Sequence, residues 1–133
     1  YLKNTYKGYL RIRIVKDNLS GETKSNMTFK RSIKKDSLRV NEEIDTEISD
    51  WESAAKIIEI LGYKRKRPGY KHRRSYMYEN MLFEIDTWDE ETYSKPYLEI
   101  EVASDRELEK AISLLNLDRS QITTKSIDEL RKD

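Results

Sequence analysis

The chain of 133 residues contains no cysteine, so disulfide bonds and thiolate metal sites are both excluded. The lack of cysteine is compatible with a reducing environment, and we predict a cytoplasmic location. No apolar run approaches the length of a membrane span, and the start of the chain lacks the pattern of a signal peptide. We therefore expect no membrane partner.

Neither sign of charge is in clear excess, because the chain has 26 Lys and Arg residues and 25 Asp and Glu residues, with a net charge of +1. Charged residues nevertheless make up 38% of the chain. A protein that binds the phosphate backbone of a nucleic acid carries a clear surplus of basic residues. The composition therefore argues against nucleic acid as a partner and favours a protein that uses both signs of charge locally.

Glycine and proline are also scarce, with four and two residues. We therefore expect long helices and strands connected by few turns. Several segments alternate apolar and polar residues with the period of two that is typical of a strand. In YLEIEV, residues 97–102, three apolar residues lie on one face, while Glu99 and Glu101 lie on the other. The remaining predicted strands cover residues 9–15, 26–33, 38–48 and the two arms of 70–88, which turn at Glu79-Asn80.

Two capping boxes indicate helices, because a Ser followed three residues later by Glu satisfies backbone N–H groups of a first helical turn. Ser49 with Glu52 predicts one helix, which Gly62 ends. Ser104 with Glu107 predicts a second helix. Residues 126–130 predict one last helical turn.

The polar faces of the predicted strands carry both signs of charge, strand after strand. The basic residues are Arg11, Arg13, Lys30, Arg39, Lys71 and Arg73, and the acidic residues are Glu43, Glu84, Asp86, Glu99 and Glu101. An antiparallel sheet that closes on itself would gather these faces into a polar interior, with helices packed on the apolar outside. We therefore predict an α+β fold built on an antiparallel β-barrel. Its cations suit phosphate oxygens, and its carboxylates suit the divalent metal ions that accompany phosphates.

The same order of motifs resembles the CYTH superfamily, the triphosphate tunnel metalloenzymes, which includes class IV adenylyl cyclases and thiamine triphosphatases. The motifs are LRIR at 10–13, MTFK at 27–30, RVNEEID at 39–45, LGY at 61–63, K-x-R at 71–73, FEID at 83–86 and YLEIE at 97–101. The resemblance implies one domain over residues 1–133. It also implies a barrel whose tunnel binds a triphosphate together with Mg²⁺ or Mn²⁺.

The resemblance further implies a role for each charged position. The substrate-binding residues would be Arg11, Arg13, Lys30, Arg39, Lys71 and Arg73, of which Lys71 and Arg73 are also the candidate catalytic residues. The metal ligands would be Glu43, Asp86, Glu99 and Glu101. Catalysis would then be electrostatic, since the cations hold the phosphates in line and the metal ion neutralises charge at the reacting phosphorus.

The family signature E-x-E-x-K is not found ahead of LRIR, where the resemblance places the first strand of the barrel. We therefore expect a fragment, or a shortened or degenerate member, with an incomplete barrel or an edge closed by a second copy in a homodimer. Three functions remain open. They are hydrolysis of thiamine triphosphate or tripolyphosphate, cyclisation of ATP, and binding of a nucleotide or polyphosphate without turnover.

The basic run KRKRPGYKHRR at residues 64–74 could attract nucleic acid electrostatically. We interpret its first part, before Pro68, as a solvated loop. His72 lies on the strand face opposite Lys71 and Arg73, so we assign it a structural or surface role and not that of a general base.

Overall fold

The computed structural model describes residues 8–35 and 39–132, with the backbone only for residues 34, 35 and 39. In chain order its elements are β1 (Tyr9–Lys16), β2 (Thr23–Lys35), β3 (Arg39–Glu47), α1 (Trp51–Ile60), β4 (Lys71–Tyr78), β5 (Met81–Trp88), β6 (Tyr97–Glu101), α2 (Asp105–Leu115), a 3₁₀ turn (Arg119–Gln121) and α3 (Ile127–Leu130). Every strand pairing is antiparallel. The α+β class is therefore confirmed. None of the helices in this part of the chain is both long and apolar enough to cross a membrane.

The chain divides after Lys66 into two compact units. The first unit contains a sheet of order β1-β2-β3 together with α1, and the second contains a sheet of order β4-β5-β6 together with α2 and α3. Each sheet has three strands and stays open within the described ranges. The predicted antiparallel strands are therefore present, whereas the closed barrel is not shown.

In the first unit the register places apolar residues of neighbouring strands opposite one another. Phe29 of β2 pairs with Leu10 of β1 and with Ile44 of β3, which places three apolar residues on one face. The opposite face carries the charged residues of the alternating pattern. The register shifts between Ser32 and Lys34, where a β-bulge gives β2 one extra residue.

In the second unit α2 packs on part of the apolar face of the sheet. Met81 and Phe83 of β5 and Ala111 of α2 are buried, and Ile100 and Val102 pack against them. Burial of each large side chain in this cluster contributes about 1.5–3 kcal/mol. The helix therefore packs on the sheet face that the sequence predicts to be apolar, and the charged face remains on the other side.

The helix boundaries correct one prediction and confirm another. The N-cap of α1 is Asp50 and not Ser49, because the Asp50 carboxylate accepts a hydrogen bond of 3.0 Å from the backbone N–H of Ser53. Asp and Ser cap helices about equally well, so a one-residue choice between them depends on tertiary context. Ser104 caps α2 as predicted, with its hydroxyl accepting from the backbone N–H of Glu107 at 3.2 Å.

The turns also follow the sequence. Glu79 and Asn80 have φ values of 46° and 66° in the two-residue loop between β4 and β5. Positive φ at both loop residues gives the hairpin turn whose twist matches that of the flanking strands. Gly62 has φ 93° just after α1, as predicted from its position.

Candidate functional site

Alternation along three strands gives the second unit one charged face. Arg73 of β4 pairs with Asp86 of β5, which pairs with Tyr97 of β6. The next row of this face contains Ser75, Glu84 and Glu99, and its outer positions are Lys71, Trp88 and Glu101. We refer to these nine residues as the charged face of the second unit. Side chains directly opposite one another on neighbouring strands lie close enough to interact.

Asp86 lies at the centre of this face and is completely buried. Its carboxylate accepts hydrogen bonds from Lys71 Nζ at 2.6 Å and from Tyr97 Oη at 3.1 Å. Arg73 donates twice, through Nε at 2.6 Å and through Nη2 at 2.7 Å. Three of these four bonds come from ionised donors and are the stronger kind. Asp86 therefore binds two cations at once.

The protonation state of Asp86 follows from two opposing effects on its pKa. Burial by itself raises the pKa, because a low dielectric disfavours the charged form. The hydrogen bonds and positive charges of Arg73 and Lys71 outweigh burial, so the pKa of Asp86 falls below its ordinary value of 3.8. Asp86 is therefore an anion at neutral pH.

Arg73 also contacts two further carboxylates of this face. Its Nη2 donates to Glu99 Oε2 at 2.9 Å, and its Nη1 forms a close ion pair with Glu84. Burial by itself lowers the pKa of Arg73, but the hydrogen bonds and charges of these carboxylates raise it above its ordinary value. The guanidinium is thus always charged and held in one orientation.

Aromatic side chains flank the cations on this face. Trp88 Nε1 donates a hydrogen bond of 3.0 Å to Tyr97 Oη, and the ammonium of Lys71 lies 5.2 Å from the centroid of the Trp88 ring. Burial, followed by the negative charges of Asp86 and Glu99, raises the pKa of Tyr97 to about 12 although the Trp88 bond lowers it. Sequence reasoning missed Trp88 and Tyr97. Their positions in the alternation, on the same side as Asp86 and Glu99, were the signal that could have found them.

The first unit carries a charged face of its own on β1, β2 and β3. Arg11 lies in register with Thr28, which lies in register with Asp45. Asp45 accepts a hydrogen bond of 2.6 Å from Asn26 and a close one from Thr28, and these bonds lower its pKa, with Arg11 and Arg13 adding smaller effects. Sequence reasoning missed Asp45 too, although it lies in the predicted strand.

The remaining predicted residues fall into three groups. Lys30 and Glu43 form a close ion pair on the charged face of the first unit, which also includes Arg11 and Arg13. Glu101 lies on the charged face of the second unit, two residues beyond Glu99. The side chain of Arg39 lies outside the described residues.

The donor set limits how a metal ion could be held. Within residues 8–35 and 39–132, no three carboxylates or histidines converge on a common point as metal ligands. Asp86 already accepts four hydrogen bonds, and Glu43 is paired with Lys30. Mg²⁺ is commonly bound through one or two carboxylates and the phosphates of its substrate. Glu99 is likewise bonded to Arg73 Nη2 at 2.9 Å, and Glu101 lies two residues further along the same strand face, so a site of that partial kind on Glu99 and Glu101 would lie beside a cation.

Two cavities of the second unit lie away from its charged face. A cavity of about 240 Å³ is lined by His72, Arg74, Ile85 and Thr87, which alternate with the charged residues and lie on the opposite face of the sheet. A second cavity of about 540 Å³ is lined by residues of the 90–95 and 130–131 segments. The hydrogen bonds of Asp86 and Arg73 therefore mark the candidate site better than cavity volume does.

The chain is similar to known proteins over most of its length. The CYTH domain model matches residues 2–131 of the chain. Two solved structures, a conserved hypothetical protein from Pyrococcus furiosus at 20% identity and a protein from Pyrococcus horikoshii at 24% identity, each match with a TM-score of 0.71. Each match covers 90% of this chain and 74% of the other and, at these identities, shows the fold alone. No curated protein gave a significant match.

Proposed function

This chain belongs to the CYTH domain family, whose members bind triphosphates and are in general metal-dependent enzymes, and from that membership we propose that it binds and processes a triphosphate. The candidate substrates are ATP, thiamine triphosphate and tripolyphosphate. The observation that carries the proposal is the pair of cations Lys71 and Arg73, held on one sheet face by the buried carboxylate of Asp86. We further propose that residues 1–133 act as a single domain.

The two cations have the chemistry that phosphoryl transfer needs. Lys71 and Arg73 are two residues apart on a strand, so their side chains leave the same face about 7 Å apart. Side chains at this spacing can reach oxygens of different phosphates in one chain of phosphates. Their fixed charge would stabilise the negative charge that develops on the transferred group, which is the proposed catalytic role. Arg11, Arg13, Lys30 and Arg39 are proposed as further phosphate contacts.

A divalent ion, Mg²⁺ or Mn²⁺, is part of this proposal. Glu99 and Glu101 would hold the ion together with oxygens of the bound triphosphate. When bound, the ion would neutralise charge on the phosphate oxygens. In this proposal Asp86 serves mainly as the anion that holds Lys71 and Arg73.

Thermal unfolding tests the binding step. Tripolyphosphate or ATP, with millimolar Mg²⁺ or Mn²⁺, should raise the melting temperature, because a ligand that binds only the folded chain stabilises it. A ligand present at 100 times its Kd adds about 2.7 kcal/mol to the free energy of unfolding. This raises the melting temperature of a chain of this size by several degrees. Omitting the metal should reduce the shift. No shift with either polyphosphate would contradict the proposal.

A matched pair of variants localises binding to the charged face. Arg73→Lys keeps the charge but removes the fork that contacts several oxygens, and it should weaken tripolyphosphate binding by about 1–3 kcal/mol in calorimetry. Arg74→Lys changes the neighbouring residue on the opposite face and should leave binding unchanged. Equal affinities in the two variants would exclude the face as the phosphate site.

Turnover separates the enzyme from a second candidate function, a module that binds polyphosphate without turnover. The pairing of the acidic side chains favours this candidate, because Glu84, Asp86 and Glu99 each form an ion pair with Arg73. Product analysis distinguishes orthophosphate from cyclic nucleotide with pyrophosphate. Glu101→Gln should lower turnover while metal-free polyphosphate binding is retained or tightened, because one negative charge is removed. Binding without products in the parent chain would establish the module.

The cytoplasmic location and the homodimer stay predictions. Sedimentation with and without tripolyphosphate would test the homodimer directly.

A further inference from the structure

Trp88 and Tyr97 form a directed chain of hydrogen bonds that ends on Asp86. An indole N–H can only donate, so the 3.0 Å bond from Trp88 Nε1 occupies a lone pair of the Tyr97 hydroxyl oxygen. The hydroxyl has one proton, and Asp86 Oδ2 is its acceptor at 3.1 Å. The orientation of the Tyr97 hydroxyl is therefore set by Trp88 and aimed at Asp86.

The acceptor of this chain is the oxygen that also binds both cations. Asp86 Oδ2 accepts from Lys71 Nζ at 2.6 Å and from Arg73 Nη2 at 2.7 Å. A third donor on the same oxygen limits how far the carboxylate can rotate. The Tyr97 hydroxyl thus restricts the position of Asp86, and through it the positions of Lys71 and Arg73.

Trp88 contacts the same group of residues a second time through its ring. The ammonium of Lys71 lies 5.2 Å from the ring centroid, within the range of a cation–π attraction. The Trp88 side chain therefore orients the Tyr97 hydroxyl through its N–H and attracts Lys71 through its ring. Neither function requires Trp88 to contact a ligand.

We propose that Tyr97 and Trp88 are positioning residues for triphosphate binding, which act through Asp86 to hold Lys71 and Arg73 in the orientation that receives phosphate oxygens. This inference rests on the proposed function for its ligand. The positioning itself is a property of the ligand-free chain. Groups that are already oriented need less ordering when the ligand binds, and affinity rises accordingly.

The test compares Tyr97→Phe with Tyr76→Phe, which removes a hydroxyl from the opposite face of the same sheet. Tyr97→Phe should weaken tripolyphosphate binding by about three- to tenfold, the value expected for one net hydrogen bond. Hydrogen exchange of the Arg73 Nε–H, followed by NMR in the ligand-free protein, should become faster. Tyr76→Phe should change neither quantity.

Variants at Trp88 separate its two contacts. Trp88→Phe keeps an aromatic ring near Lys71 and removes the N–H donor, so it should reproduce the faster exchange of Tyr97→Phe. Trp88→Leu removes the ring as well and should weaken tripolyphosphate binding more than Trp88→Phe does. Circular dichroism and urea unfolding of each variant establish that the comparison is made between folded proteins.

The outcomes distinguish this inference from the proposed function. If the parent binds tripolyphosphate and Tyr97→Phe binds equally well with unchanged exchange, the positioning role is overturned. If the parent binds no polyphosphate, the proposed function fails, and the exchange measurement alone decides the positioning role. Faster exchange in Tyr97→Phe would then support the positioning of Arg73 by Tyr97, and unchanged exchange would overturn it.

Discussion

A buried aspartate that binds two cations affects stability more than an exposed aspartate does, because removal of its charge takes away the carboxylate that those cations share. Asp86 is completely buried, while Lys71 and Arg73 remain partly exposed, with 15% and 25% of their side-chain surface accessible. Water can therefore compensate the cations in part when Asp86 loses its charge. The stability effect should be large, but below that of a fully buried pair.

We expect Asp86→Asn to lower the free energy of unfolding by about 2–4 kcal/mol, somewhat less than breaking a fully buried pair costs. Asparagine keeps the shape of the side chain, so the loss reports the charge and not a cavity. Urea unfolding measures the effect. Asp105→Asn, at an exposed position of α2, should change stability by no more than about 0.5 kcal/mol. Equal losses in the two variants would contradict the role of Asp86.

The lowered pKa of Asp86 also predicts how stability depends on pH. A carboxyl group whose pKa is lower in the folded chain stabilises the fold at pH values above its ordinary 3.8, and this stability is lost as the pH falls through the folded value. Asp89, whose pKa is lowered to about 2, mainly by the hydrogen bond from Thr92, acts in the same direction. Urea unfolding should therefore show constant stability near neutral pH and a decline below about pH 4. The decline should be shallower in Asp86→Asn, and an identical profile would argue against Asp86 as its source.

At the scale of elements, the β4–β5 hairpin determines which residues share the charged face. Its two-residue loop fixes the register that pairs Arg73 with Asp86. A longer or shorter loop would shift the pairing, and a shift of one residue would move an entire set of side chains to the other face. The turn residues Glu79 and Asn80 are therefore part of what builds the site, although they lie at the far end of the hairpin.

Substitution of Asn80 tests this turn. Asn80 has φ 66°, which glycine adopts without strain and a β-branched residue does not. Asn80→Gly should leave the free energy of unfolding unchanged or raise it by a few tenths of a kcal/mol, and Asn80→Val should lower it by about 1–2 kcal/mol. Urea unfolding checks both values. A tolerated valine would show that the loop does not set the register.

At the scale of the whole molecule, one exposed segment connects the two units. Residues 61–70 are all exposed and belong to no helix or strand. The segment contains Lys64, Arg65 and Lys66, followed by the Arg67-Pro68 bond. Exposed segments without regular structure are the preferred sites of proteolytic cleavage.

Brief trypsin treatment should therefore cut first after Lys64, Arg65 or Lys66, and not at Arg67, because proline follows it. Mass spectrometry should find two fragments, each about half of the chain. A variant with glutamine at all three positions should resist this first cut. Early cleavage within β4 or β5 instead would contradict the exposure of the connecting segment.

Local sequence features were sufficient for much of the fold. The alternation in YLEIEV placed Glu99 on the face opposite Ile100, and the structure confirms this placement. The turn at Glu79 and Asn80 and the cap at Ser104 were also predicted correctly. Each of these features depends on neighbours within a few residues, and that is why the sequence alone could indicate them.

The membership in the CYTH family was also accessible from the sequence, because it depends on the order of short motifs along the chain. The family model matches residues 2–131. The closed barrel is a different kind of prediction, since it requires strands that are distant in sequence to meet. The described strands form two open sheets of three, so the closed barrel stays a prediction.

The sequence by itself determined which residues share a strand face, because the period of two is a property of the extended backbone. It could not determine that Arg73 contacts Glu84, Asp86 and Glu99 together, or that Tyr97 and Trp88 complete the set. Those contacts join three strands, and they depend on the register between strands and on which side chains α2 leaves uncovered. Only the tertiary structure fixes that register. It therefore places Asp86 among four hydrogen bonds, and the metal-ligand role that the family resemblance implies for Asp86 stays a prediction.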